Sequence, residues 1–168
     1  HAQTRTTIRF ALAFFAAAAL AAVWDHGRWL PLHLFLAGGV VLAISGVSLM
    51  LTVTWSAAPA PPDRWVTIQR TLIIVGAAGV GIGRTADVPA AVAVTGTAFL
   101  LGLLALAGLL AWTIRRGPKR RFDAAVAAYL AAAAAGVVGV GLGVTMALDS
   151  PTLPLRSAHA TANLLGLV

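Results

Sequence analysis

Four histidines are the side chains here able to ligate a transition metal in an apolar setting, since the chain contains no Cys. Imidazole suits haem iron, copper and zinc. His1 is terminal, and His26 falls in a short polar turn where a solvated ring is the simplest reading. His33 and His159 differ, because each lies within the first turns of an apolar segment. Ionisable groups at such a depth are expensive and mark functional positions. Three readings stand side by side. The two rings are separate interfacial histidines, each bonded to a backbone carbonyl; or they are a bis-imidazole site for haem iron; or they hold copper or another bare metal.

The neighbouring residues favour haem over a bare ion. No carboxylate, Cys or Met lies close in sequence to His33 or His159 to complete a tetrahedral or tetragonal site. A haem brings four nitrogen ligands and needs only axial ones from the protein. Its propionates need cations, and Arg28, Arg84 and Arg156 lie near the ends of the same segments, where their forked guanidinium groups suit carboxylates. Contact with lipid headgroups competes as a role for each arginine. Asn163 follows His159 by one helical turn, so its amide can reach an imidazole, a haem edge or a neighbouring helix.

Other catalytic sets are missing, and no catalytic residue is assigned. The five acidic residues all fall in loops or at helix ends, so no relay of buried carboxylates crosses the chain, which argues against ion pumps and proton-coupled transporters. Ser45, Ser48, Thr52, Thr95 and Thr97 are expected to bond back to their own helices.

The elements that must position these groups follow from hydropathy. Of 168 residues, 60% are apolar and 10% charged, and the mean hydropathy is +0.90. A soluble domain carries about a quarter charged residues, so a water-exposed surface cannot be assembled here. Charge-free windows approach or exceed the roughly 20 residues that span a bilayer. The expected fold is all-α: a polytopic membrane bundle, a single domain of six helices at about 8–24, 30–55, 65–83, 90–114, 123–148 and 155–168. The last is too short to cross, and the chain reads as a fragment of something longer. Arg70, inside the third helix, is expected to snorkel to the headgroups. Two glycine runs share one spacing, Gly76, Gly79, Gly81, Gly83 and Gly136, Gly139, Gly141, Gly143. Neither follows a strand or opens a helix, so a dinucleotide fingerprint is excluded. They serve close helix packing, or they leave room for the flat face of a cofactor.

The net charge of +7 comes with five of the twelve cations in one run, Arg115, Arg116, Lys119, Arg120 and Arg121, between two apolar windows. That run marks a cytoplasmic loop rather than a nucleic-acid patch. The amino terminus is then cytoplasmic as well, and Arg28, Arg84 and Arg156 lie outside.

The segment Trp29-Leu-Pro-Leu-His33-Leu-Phe-Leu-Ala-Gly38 resembles the WLxxHLFLLG opening of a membrane module of actinobacterial proteins. Ser157-Ala-His159-Ala-Thr-Ala-Asn163-Leu-Leu-Gly166-Leu-Val168 resembles its AHAxLNLLGWV signature, with Leu167 in place of the usual Trp. Phe122 and Tyr129 are similar too, and the resemblance covers about 30–168. In that family the membrane part precedes an external cupredoxin region of the multicopper oxidase or copper nitrite reductase type. The H-A-x-x-N-x-x-G pattern is also similar to one in haem-copper membrane proteins linked to nitric oxide metabolism. The resemblance implies a haem b electron-transfer module of the bacterial cytoplasmic membrane, part of an oxidoreductase, with His33 and His159 as axial ligands. Its partners would be the bilayer, quinol as a donor, and an external cupredoxin-type domain or protein; homo-oligomerisation is left open. A cofactor-free anchor or scaffold and a metal-ion or small-solute permease are the alternatives.

Overall fold

A computed structural model describes residues 2–24, 27–119, 122–149 and 152–167. His1, Asp25, His26, Arg120 and Arg121 lie outside the described residues. Every element among the described residues is helical. Five helices are long and apolar enough to cross a membrane: α1 (Ala2–Val23), α2 (Trp29–Ser56), α3 (Asp63–Thr85), α4 (Pro89–Arg116) and α5 (Asp123–Leu148). The sixth, α6, runs Leu153–Thr161 and continues as a π-helical turn, Ala162–Leu167. The chain is an all-α bundle whose apolar helices suit a multi-pass membrane protein.

Local sequence accounts for the boundaries. Pro89 opens α4 within its first turn, where a missing N–H is harmless. Thr152 caps α6 by accepting the Leu155 N–H at 3.4 Å. Ala57, in the left-handed conformation, closes α2 ahead of the Pro-rich loop. The first helix begins at Ala2, six residues before the predicted start near Ile8. The polar first turns are helical because Thr6 and Thr7 bond back to Ala2 and Gln3, and because α3 supplies a partner for them. That partner is Arg70, whose guanidinium reaches toward the start of α3 inside the bundle. It is 7% exposed and points into the bundle, donating to Gln3 Oε1 at 2.9 Å, with Thr7 Oγ1 and Thr67 Oγ1 each at 3.4 Å.

Successive helices run antiparallel, and glycines set their closest approaches. A Cβ on Gly76 of α3 would lie 2.5 Å from Phe99 Cβ of α4, and one on Gly136 of α5 would lie 2.8 Å from Leu167 of α6. One apolar core joins α1 to α4 through Phe14, Leu42, Ile73, Phe99 and Leu103, and takes in Leu167 from α6; Leu49, Val66, Leu106 and Leu110 form a second core nearer the basic loop. Leu12 and Leu20 on α1, Ile82 on α3, Val94, Leu101 and Leu104 on α4 and Val138 on α5 face outward. Such a surface fits lipid contact.

Candidate functional site

His33 and His159 are brought to one cavity. It has a volume of about 500 Å³ and lies at the end of the bundle opposite the basic loop, between α2, α3, α4, α5 and α6. That volume falls within the roughly 300–1,000 Å³ usual for ligand and cofactor sites. Arg84, Arg156 and Asn163 line it together with the two histidines. Arg28 does not line it and is exposed on the turn before α2. The remaining wall is mostly apolar, including Val41, Val80, Phe99, Val140 and Leu164.

Each imidazole is held by a backbone carbonyl of a glycine-rich helix, but through a different nitrogen. His159 lies on α6 against α5, and its Nδ1–H donates to the Gly139 carbonyl at 2.6 Å. The Nε2 lone pair is thereby left for a metal, the usual division of labour in a ligating histidine. Asn163 donates from Nδ2 to the His159 carbonyl at 2.8 Å. Its amide occupies the gap over Gly139, where any Cβ would collide with it. A Cβ on Gly143 would lie 2.8 Å from His159 Cε1. Two glycines of the α5 run thus let the ring and the amide seat flush on that helix.

His33 projects from the first turns of α2 toward α3. Its Nε2–H donates to the Ala77 carbonyl at 3.0 Å, leaving Nδ1 as the nitrogen with a free lone pair. The ring also stacks on Trp29 one turn earlier, with centroids 4.9 Å apart and planes 13° from parallel. Arg84 also lies over Trp29, its guanidinium carbon 5.4 Å from the Trp29 ring centroid. Trp29 is therefore part of the site. Its signal in the sequence is the i, i+4 spacing to His33, which places two rings on one helix face.

Both histidines immediately precede an irregularity in their helices. The α-helical hydrogen bonding of α2 changes to a π-helical stretch at Leu34–Val40, directly after His33, and that of α6 changes at Ala162–Leu167, directly after the turn holding His159. Single π-turns inside α-helices recur at functional sites because the extra residue re-aims the side chains around it.

The glycine runs serve close packing, and two of their members also border the cavity. Gly76 and Gly143 pack against neighbours and also line the cavity, joined there by Gly96 of α4. Gly141 meets nothing within 4 Å and serves neither purpose. Of the hydroxyls, Ser48, Thr52, Thr95 and Thr97 bond back to their own helices as expected. Ser45 instead donates across to Gln69 Oε1 at 3.1 Å, and that buried amide lies well away from the cavity.

These residues fit a haem better than a bare ion. Among the described residues no group of three or more His, Asp, Glu or Cys is gathered in a way that could hold a metal. Two imidazoles are too few for a protein-only copper or zinc site, whereas a haem needs no more than two. Arg84 and Arg156 are exposed at the rim of an apolar cavity, which matches a flat, apolar ring with anionic edges. Comparison of the chain with protein-family models, with curated proteins and with solved structures finds no match.

Proposed function

We propose that the chain is the haem b-binding electron-transfer module of a membrane oxidoreductase. The observation that carries this reading is the convergence of His33, His159, Arg84 and Arg156 on one largely apolar cavity. A bound haem would supply a one-electron iron couple; the protein supplies axial nitrogens, charge for the propionates and a dry surround that tunes the potential. His159, its tautomer set by Gly139, would be the primary ligand, and His33 would be the second. Arg84 and Arg156 hold the propionates; Arg28, outside the cavity, does not.

The module works in the bacterial cytoplasmic membrane with its amino terminus and basic loop in the cytoplasm, as the run Arg115 to Arg121 favours. The cavity then faces outward. Electrons pass from quinol or another membrane donor to an external cupredoxin-type domain or protein. The resemblance at 29–38 and 157–168 supports that partner.

The test is a dithionite-reduced minus oxidised spectrum of the detergent-purified protein made with haem supplied, together with a pyridine haemochrome assay. A sharp α-band of b type, absent in His159→Ala, is expected. A featureless spectrum from well-folded protein would overturn the reading in favour of a cofactor-free anchor.

A further inference from the structure

The two imidazoles are not equivalent. His159 is already in the state a ligand requires, with Nδ1–H spent on the Gly139 carbonyl at 2.6 Å and Nε2 free. His33 has its Nε2 engaged with the Ala77 carbonyl at 3.0 Å. For the usual Nε2 ligation, His33 must break that bond, move its proton to Nδ1 and turn out of its stack on Trp29. No corresponding rearrangement is needed on the α6 side, where the ring seats against Gly143 and the Asn163 amide bonds to the backbone carbonyl of His159.

Resting on the haem reading above, we propose that His159 is the permanent axial ligand and His33 a displaceable one. The coordination position on the α2 side then opens to a small neutral diatomic ligand of ferrous haem. On displacement the bond from Nε2 to iron would break, the proton would return from Nδ1 to Nε2 and the bond to Ala77 would re-form, while the incoming molecule takes the vacated position with no change in the oxidation state of the iron. The chemistry of the α2 wall favours an uncharged ligand. Its other cavity-lining residues, Trp29, Leu32, Leu36, Ala37 and Val41, are uncharged, while the cations Arg84 and Arg156 are at the rim.

Carbon monoxide is the probe. The haem-loaded full chain, reduced with dithionite, is titrated with CO and followed in the Soret region, for the wild type, His33→Ala, His159→Ala and Trp29→Leu. Wild type should bind one CO per haem. His33→Ala should keep wild-type haem content and bind CO about ten-fold more tightly or better, whereas His159→Ala should lose about ten-fold or more in haem retention. Trp29→Leu should weaken CO binding, because an unstacked His33 reaches the iron more readily; this variant decides the matter if His33→Ala fails to fold. The proposal is overturned if CO leaves the reduced wild-type spectrum unchanged, if His33→Ala sheds haem as fully as His159→Ala, or if Trp29→Leu leaves CO affinity unaltered. Wild type that binds no haem overturns the underlying reading instead, before any CO is added.

Discussion

The His159 ring donates to the Gly139 carbonyl at 2.6 Å across the α5–α6 interface, and the same glycine leaves the gap that the Asn163 amide fills. One backbone position thus fixes both the tautomer of the imidazole and the seat of the helix that carries it. A methyl group on Gly139 would strike the amide, with Oδ1 only 2.8 Å from the new Cβ. Gly139→Ala should therefore lower stability by about 1–3 kcal/mol through overpacking, and loosen haem with it. Gly141→Ala is the internal control, since nothing lies within 4 Å of its Cβ position. It should be neutral, or stabilising by up to about 1 kcal/mol from helix propensity. Thermal unfolding in detergent and the haem-to-protein ratio read both effects, and equal losses in the two variants would refute the packing argument.

Arg84 and Arg156 should act as a pair. Both are exposed at the cavity rim, so in the proposed haem-loaded protein each propionate contact would be screened and would contribute about 1 kcal/mol, below a buried charged hydrogen bond. Arg84→Gln and Arg156→Gln should each raise the haem dissociation constant about five-fold, and the double variant about 25-fold. Arg28→Gln should leave it unchanged, because Arg28 does not line the cavity. Haem transfer to apomyoglobin gives the rates. A loss in Arg28→Gln as large as in the other two would mean that the cations act through general surface charge.

The helix count, the spans and five cavity groups, His33, Arg84, Arg156, His159 and Asn163 but not Trp29, could be read in the sequence, because apolar length, charge segregation and a histidine inside an apolar run are one-dimensional signals. The convergence of His33 with His159 could only be inferred from their equal depth, and the choice among three external arginines could not be made at all. Arg28 stands on the turn before α2, whereas Arg84 is in the last turn of α3 and lines the cavity, a difference that position near a helix end does not reveal. The π-turns after both histidines leave no recognisable trace, since they depend on how α2 and α6 are clamped by their neighbours. The partners of Arg70 on α1 were missed for a related reason. Snorkelling is what an arginine does against lipid, and here Gln3 and Thr7 of α1 offer it hydrogen bonds inside the bundle.

That arrangement carries its own consequence. Arg70 is 7% exposed, and two of its three hydrogen-bond partners lie on α1, so removing those two leaves a buried guanidinium with only Thr67 of its own helix. The Gln3→Leu/Thr7→Val double variant should lose about 1–3 kcal/mol or more, since buried charged groups are the costlier case. Arg70→Met removes the charge along with its need for partners and should cost less than the double variant. Neither should alter a haem spectrum, because none of the three residues lines the cavity. The ordering of the two melting temperatures is the check, and the reverse order would show that Arg70 itself, rather than its satisfaction, holds α1 to α3.

The proposed orientation can be tested on a chain that contains no cysteine of its own, so every introduced thiol reports alone. Ala60 is exposed in the Pro-rich loop that shares an end with the basic segment, as the Lys119 N–H donating to the Ser56 carbonyl at 3.2 Å shows. Ala86 is exposed in the turn between α3 and α4, at the histidine end. With the basic loop in the cytoplasm, a membrane-impermeant maleimide added to intact spheroplasts should label Ala86→Cys and spare Ala60→Cys, and permeabilisation should expose both. The opposite pattern would place the cavity on the cytoplasmic side. An external copper partner could then no longer be the electron acceptor, although the fit of the cavity to haem would stand.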